Sequence, residues 1–167
     1  MKDQGLGQIF SVDFLVGVVV VLFIMTTVQV YHSRVTEDIR QEEKMVFHES
    51  LSSRTDTLLL FEGMPENWND ENIEILGFST GKPNELNGTK LLEYFAMEDT
   101  KAENLLGFHG REFHLVFRDD QGDIMSRDGV DFIRGEQGWN GSSDIYTVER
   151  KISVEGSGQG SMRLVVW

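Results

Sequence analysis

The chain has no cysteine and only two prolines in its 167 residues. Without cysteine there are no disulfides, no zinc–thiolate centres and no thiol nucleophile, and the redox compartment stays undetermined. Basic residues are scarce as well: 15 Lys and Arg stand against 28 Asp and Glu, a net charge of −13. A protein that neutralises phosphates needs a basic face, so nucleic acid is excluded as a partner. The familiar catalytic signatures are missing too. There is no G-x-S-x-G elbow, no phosphate-binding G-x-x-x-x-G-K-[ST] loop and no dinucleotide fingerprint, so neither an enzyme nor a cofactor is expected.

What the chain does have is one charge-free apolar run, Phe14 to Val28, FLVGVVVVLFIMTTV. Extended by Ile9, Phe10 and Val30–Tyr31 it reaches about 23 residues, roughly 35 Å as a helix, enough to cross a bilayer. A cleaved secretory signal fits less well, because Lys2 is offset by Asp3 and no A-x-A site follows the run. A run apolar all round suits lipid better than one side of a small core. Its valines are tolerated where lipid forces backbone hydrogen bonding. A retained anchor is expected, with the lipid bilayer as partner and the rest of the chain on one side. About 136 residues follow, enough for one modest domain.

Orientation is contested within the sequence. Arg34, Arg40 and Lys44 after the run place the following domain in the cytoplasm by the positive-inside rule. Two N-glycosylation sequons, beginning at Asn87 and Asn140, place it outside.

From His32 to Phe61 there is neither Pro nor Gly, and Val35, Ile39, Val46, Leu51 and Leu58–Phe61 form an apolar stripe among charges. This spacing predicts helix from about Ser11 to about Phe61, stopped by Glu62-Gly63-Met64-Pro65. Ile73–Phe78 reads as a short strand. Thr89–Met97 reads as a helix capped by Asn87 or Thr89, and Ala102–Leu106 as another turn closed by Gly107. From Arg111 the period becomes two. Glu112–Arg118 alternates and turns at Asp119-Asp120-Gln121-Gly122. Asp131–Arg134 is a weaker strand. Asp144–Val154 and Ser161–Trp167 are the strongest, joined by a hairpin loop over 155–160. The fold class expected is α+β, a long membrane and stem helix followed by a small antiparallel head. The segments are 1–13 as a leader region, 14–31 transmembrane, 32–62 amphipathic stem and 63–167 head.

Three pieces of this chain resemble archaeal type IV pilins and pilin-like membrane proteins. The first is Gly7-Gln8-Ile9-Phe10-Ser11-Val12-Asp13-Phe14, similar to a class III prepilin-peptidase signal. The second is the long helix. The third is Gly63-Met64-Pro65-Glu66-Asn67-Trp68, Ile75-Leu76-Gly77-Phe78 and Leu86-Asn87-Gly88-Thr89-Lys90-Leu91, similar to a pattern of pilin-like proteins in methanogenic archaea. The resemblance implies processing by prepilin peptidase between Gly7 and Gln8. It implies packing of the N-terminal helix with other subunits, a cytoplasmic N-terminus and an extracellular head. Asp13 would then face the freed amine of an adjacent subunit. Two positions depart from the family: Asp13 would be sixth where an acid, usually Glu, is fifth, and Leu6 stands where Lys or Arg precedes the Gly. Read without the family, Asp13 sits at the headgroup level and caps the helix.

Other candidate chemistry reduces to ordinary structure. His109 and His114 lack a third metal ligand, and His114 belongs with Glu112 on the outer strand face. Asp119–Asp123 lacks the alternating ligands of a calcium loop and reads as a turn. Glu62, Glu66, Asp70, Glu71 and Glu74 form a solvated acidic cluster. Trp68 is expected to pack the head on the stem, and Trp139 to be exposed for contact with another subunit. No metal is expected.

Overall fold

The computed structural model describes residues 4–167 apart from His109, Asn140 and Ser143, with side chains from Val12 onward. Two compact units divide it, Met1–Phe47 and His48–Trp167. Helix α1, Gln4–Leu60, contributes to both. It ends where the Gly-Met-Pro stop is expected and begins earlier than the periodicity suggests.

In the first unit the most apolar 18-residue window of α1 has a mean hydropathy of 2.4, and none of it is buried within the chain. The helix is long and apolar enough to cross a membrane by length and composition. Thr26 and Thr27, the only polar residues inside the run, donate their hydroxyls to the Leu22 and Phe23 carbonyls at 2.8 Å. This back-bonding hides both hydroxyls in the helix and leaves no donor for a lipid environment to satisfy.

The second unit is α+β. Helix α2, Gly88–Ala96, starts at Asn87, whose side-chain oxygen accepts from the Thr89 and Lys90 amides. Helix α3, Asp99–Leu106, ends on Gly107 in the left-handed conformation. Strands β1 (Glu85–Leu86), β2 (Phe113–Asp119), β5 (Ile133–Gly135), β6 (Tyr146–Val154) and β7 (Gly158–Val166) form one sheet in the order β1-β6-β7-β2-β5. Strands β3 (Ser126–Arg127) and β4 (Val130–Asp131) form a separate ribbon.

The alternation seen in the sequence sets the register. Leu115 lies opposite Leu164, which lies opposite Val148, so one face of three strands is apolar. On that face Phe117 meets Phe95 and Phe132, and Phe78 meets Tyr94 edge-on at 5.4 Å. Leu51, Leu58 and Leu59 of α1 are buried with them in the second unit.

Three details differ from expectation. The sheet is not wholly antiparallel, since β1 runs parallel to β6. The hairpin between β6 and β7 is tighter, with β7 starting at Gly158 rather than Ser161. Ile73–Phe78 forms no strand and keeps only an isolated bridge from Met64 to Ile75. The physical reason lies at the end of α1. The Phe78 and Ser79 amides donate to the Leu58 and Phe61 carbonyls, so helix-end acceptors take the donors that a ladder would use.

Candidate functional site

Two places concentrate the residues singled out by the sequence. The first is the apolar half of α1. Gly7 and Gln8 fall inside the helix, in the part whose side chains are outside the described set. Asp13 is helical and exposed, immediately before Phe14. It does not cap the helix, because α1 begins at Gln4, well before it. Its carboxylate therefore stands on the wall of the helix at the mouth of the apolar run, beyond the first-turn amides that a cap would satisfy.

The second place is the end of α1, where all three pieces of the Gly63–Leu91 pattern converge. Gly63, at φ +87°, and Gly77 let two chain segments touch: a Cβ on Gly77 would lie 2.4 Å from the Phe61 carbonyl, and one on Gly63 would strike the Trp68 indole. That indole is buried, donates to the Gly77 carbonyl at 2.9 Å and lies against Phe78. Trp68 thus pins the segment that caps α1, as its expected packing role requires. Lys90 reaches from α2 to donate its ammonium to the Glu62 carbonyl. Burial holds Lys90 below the usual lysine range, with Glu62 and Glu66 opposing that shift.

Long cations at helix ends are the rule in this unit. Arg54 of α1 donates to the Gly107 carbonyl at 2.7 Å, where α3 stops, and lies over the Phe108 ring. Arg134 of β5 donates through Nη2 to the carbonyls of Tyr94, Phe95 and Met97, where α2 stops. A cation supplied by another element so lies just past the ends of α1 and α3, and on the last carbonyls of α2, where it opposes the negative end of the dipole. Sequence reasoning missed Arg54 and Arg134. An arginine on a helix or strand reads as solvated, and its carbonyl partners lie 37 to 53 residues away.

The remaining candidates are spent on structure. Asn87 is the cap of α2 and half-buried, so its sequon occupies a helix start rather than an open loop. Asn140 and His109 lie outside the described residues. His114 does alternate onto the outer sheet face, but it is not exposed there. Trp139 from the segment after β5 lies across it, ring centroids 5.3 Å apart, and also meets Trp167 at 5.7 Å. His114 is buried and Trp139 half-buried, which corrects the expectations of a surface histidine and an exposed tryptophan. Burial holds the His114 imidazole below its ordinary value, while its contact with the Gly135 carbonyl opposes that shift. Asp119 accepts from the Gln121 and Asp123 amides, so its carboxylate folds the turn. Asp70 of the acidic cluster pairs with Lys101. Among the described residues no three His, Asp or Glu side chains are grouped to hold a metal.

Comparison with protein families, with curated proteins and with solved structures gives no match for this chain. The layout is one long apolar N-terminal helix followed by a small sheet-bearing unit, which is consistent with a pilin-like protein.

Proposed function

We propose that this chain is a single-pass, membrane-anchored, pilin-like protein that serves as a structural or minor subunit of an archaeal surface filament. The observation that carries the reading is the apolar helix with no part of its core window buried within the chain, continuous with a helix whose far end is locked by Trp68 and Lys90. An apolar surface of that size needs lipid or other helices. The N-terminus is cytoplasmic and the sheet-bearing unit extracellular. Partners are the bilayer, other pilin-like subunits through their N-terminal helices, and prepilin peptidase acting between Gly7 and Gln8. Asp13, exposed on the helix wall, is the residue that sets register, because a carboxylate at the edge of hydrocarbon needs a counter-charge such as a neighbour's freed amine. The reading assigns no catalytic step and no nucleic-acid partner.

Mass spectrometry of the membrane-extracted protein tests it. A mature chain beginning at Gln8 is expected, and an intact leader sinks the processing step. Asp13→Ala is expected to insert normally and fail to enter filaments. A non-polymerising surface protein with a ligand-binding head is the second reading, and the cavity beside Arg134 is the observation in its favour.

A further inference from the structure

A cavity of about 740 Å³ opens where α3, the segment after it, the start of β2 and the end of β5 meet. This lies within the range of about 300–1,000 Å³ common to small-molecule sites. Its chemistry is unusual for a surface hollow. Arg134 lines it with its side chain only 7% exposed. While Nη2 of Arg134 is saturated by the three carbonyls at the end of α2, those of Tyr94, Phe95 and Met97, Nη1 is buried with no aligned acceptor. The Asp99 carboxylate stands 3.1 Å from Nη1 as a counter-charge, outside hydrogen-bonding alignment, and its own side chain is 85% exposed. A buried guanidinium nitrogen without an aligned acceptor is a standing deficit in hydrogen bonding. The aspartate facing it is largely exposed, so water can solvate its carboxylate when it leaves Nη1.

An incoming carboxylate can displace Asp99 and bond to Nη1, with the charge-assisted geometry that arginine favours. A simple anion, however, would meet an acidic rim. Glu103, Glu112 and Glu136 line the same cavity, and Arg111, whose guanidinium sits 5.6 Å from the Tyr146 ring centroid, is its second cation. Counting Asp99, four carboxylates face two guanidinium groups. A ligand of both charges satisfies the floor and the rim together, and Phe108 and Phe113 supply apolar wall. The geometry points to a binding site for a small zwitterion of the α-amino acid class. Its carboxylate sits on Arg134 in place of Asp99, and its ammonium lies among Glu103, Glu112 and Glu136. This role is independent of whether the chain polymerises.

The test is calorimetric titration of the full-length protein in detergent micelles with glycine, glutamate and arginine, with acetate and methylammonium as single-charge controls. At least one amino acid is expected to bind saturably, with each control weaker by roughly tenfold or more, because each engages half of the site. Asp99→Asn removes the competing counter-charge and is expected to tighten amino acid binding about threefold, roughly half a decade in Kd. Glu112→Gln, on an exposed rim position, is expected to weaken it by a similar factor. Absence of saturable heat with every amino acid up to about 10 mM, well above the range of specific small-ligand sites, overturns the proposal. Acetate binding as tightly as the amino acids overturns the zwitterion and leaves a plain anion site. Unchanged or weaker binding in Asp99→Asn overturns the displacement step.

Discussion

The same residue types behave in opposite ways in the two units. Val18 to Val21 of α1 are 41% to 56% exposed, whereas Val165 and Val166 of β7 are 1% and 0% exposed. Valine burial is favourable by the same physics in both, so the difference is one of where the partner is encoded. For β7 the partner is elsewhere in the chain: Leu115, Val148 and Phe117 meet it through pairings fixed residue by residue. For the apolar run of α1 none of the core window is buried among the described residues, and in the proposed reading lipid or other helices supply the matching surface. The sheet-bearing unit carries its own complement, and the apolar run leaves its surface uncovered among the described residues.

The largest test of that contrast is Phe117→Ala. The ring is wholly buried among Phe78, Phe95 and Phe132, and its loss should cost about 3–5 kcal/mol of unfolding free energy. Denaturation followed by near-ultraviolet circular dichroism measures this, with membrane association of the variant unchanged. If membrane association falls in step, the two units are not separable and the contrast fails. The next is Val20→Arg, in the apolar run. A charge at the centre of a spanning helix should oppose insertion by about 2.5–3.5 kcal/mol, read from the inserted fraction in a membrane-integration assay. The sheet-bearing unit should denature as in the parent. An unchanged inserted fraction would mean that the run does not span.

How much of this was legible depends on distance along the chain. The β6–β7 hairpin, the Asn87 cap and the Gly107 stop are local devices, and period, cap chemistry and glycine placement give each one away. Ile73–Phe78 has a strand's composition, yet the Met64 carbonyl takes the Glu74 and Ile75 amides and the C-terminal end of α1 takes that of Phe78, and nothing within six residues announces that. His114 was placed on the correct sheet face by alternation. Its burial was invisible because the Trp139 that covers it lies on a different segment. Arg134 shows the limit most clearly: a basic residue in a weak strand becomes the cap of α2 and the floor of a cavity only when the tertiary fold places three carbonyls around it.

A smaller effect sharpens the account of the α1 end. Trp68→Phe keeps most of the packing against Phe78 but removes the donor to the Gly77 carbonyl, a buried bond. The expected loss is about 1–2 kcal/mol, typical of a buried acceptor left without its partner. Trp68→Phe should leave insertion of the apolar run untouched. Equal stability of variant and parent would show that the indole acts by shape alone.

The smallest effect concerns His114, and it tests whether the sheet-bearing unit supplies its own cover. Burial under Trp139, with Arg118 and Arg163 adding to it, lowers the folded-state value of this imidazole against its unfolded one of about 6.5. A depressed value means the unfolded chain binds more protons, so stability rises with pH across the interval between the two values. The contribution is complete above about pH 6.5 and is lost as the pH falls through the folded-state value. Trp139→Ala uncovers the ring and should move its titration, followed by NMR of the imidazole protons, upward towards the ordinary value. The acid limb of the stability curve should shrink with it, and His114→Phe should remove the histidine's share altogether. A titration indifferent to Trp139→Ala would mean that the strand face alone buries the histidine. The cover from the segment after β5 would then be dispensable, and the sheet would bury this face through its own strands.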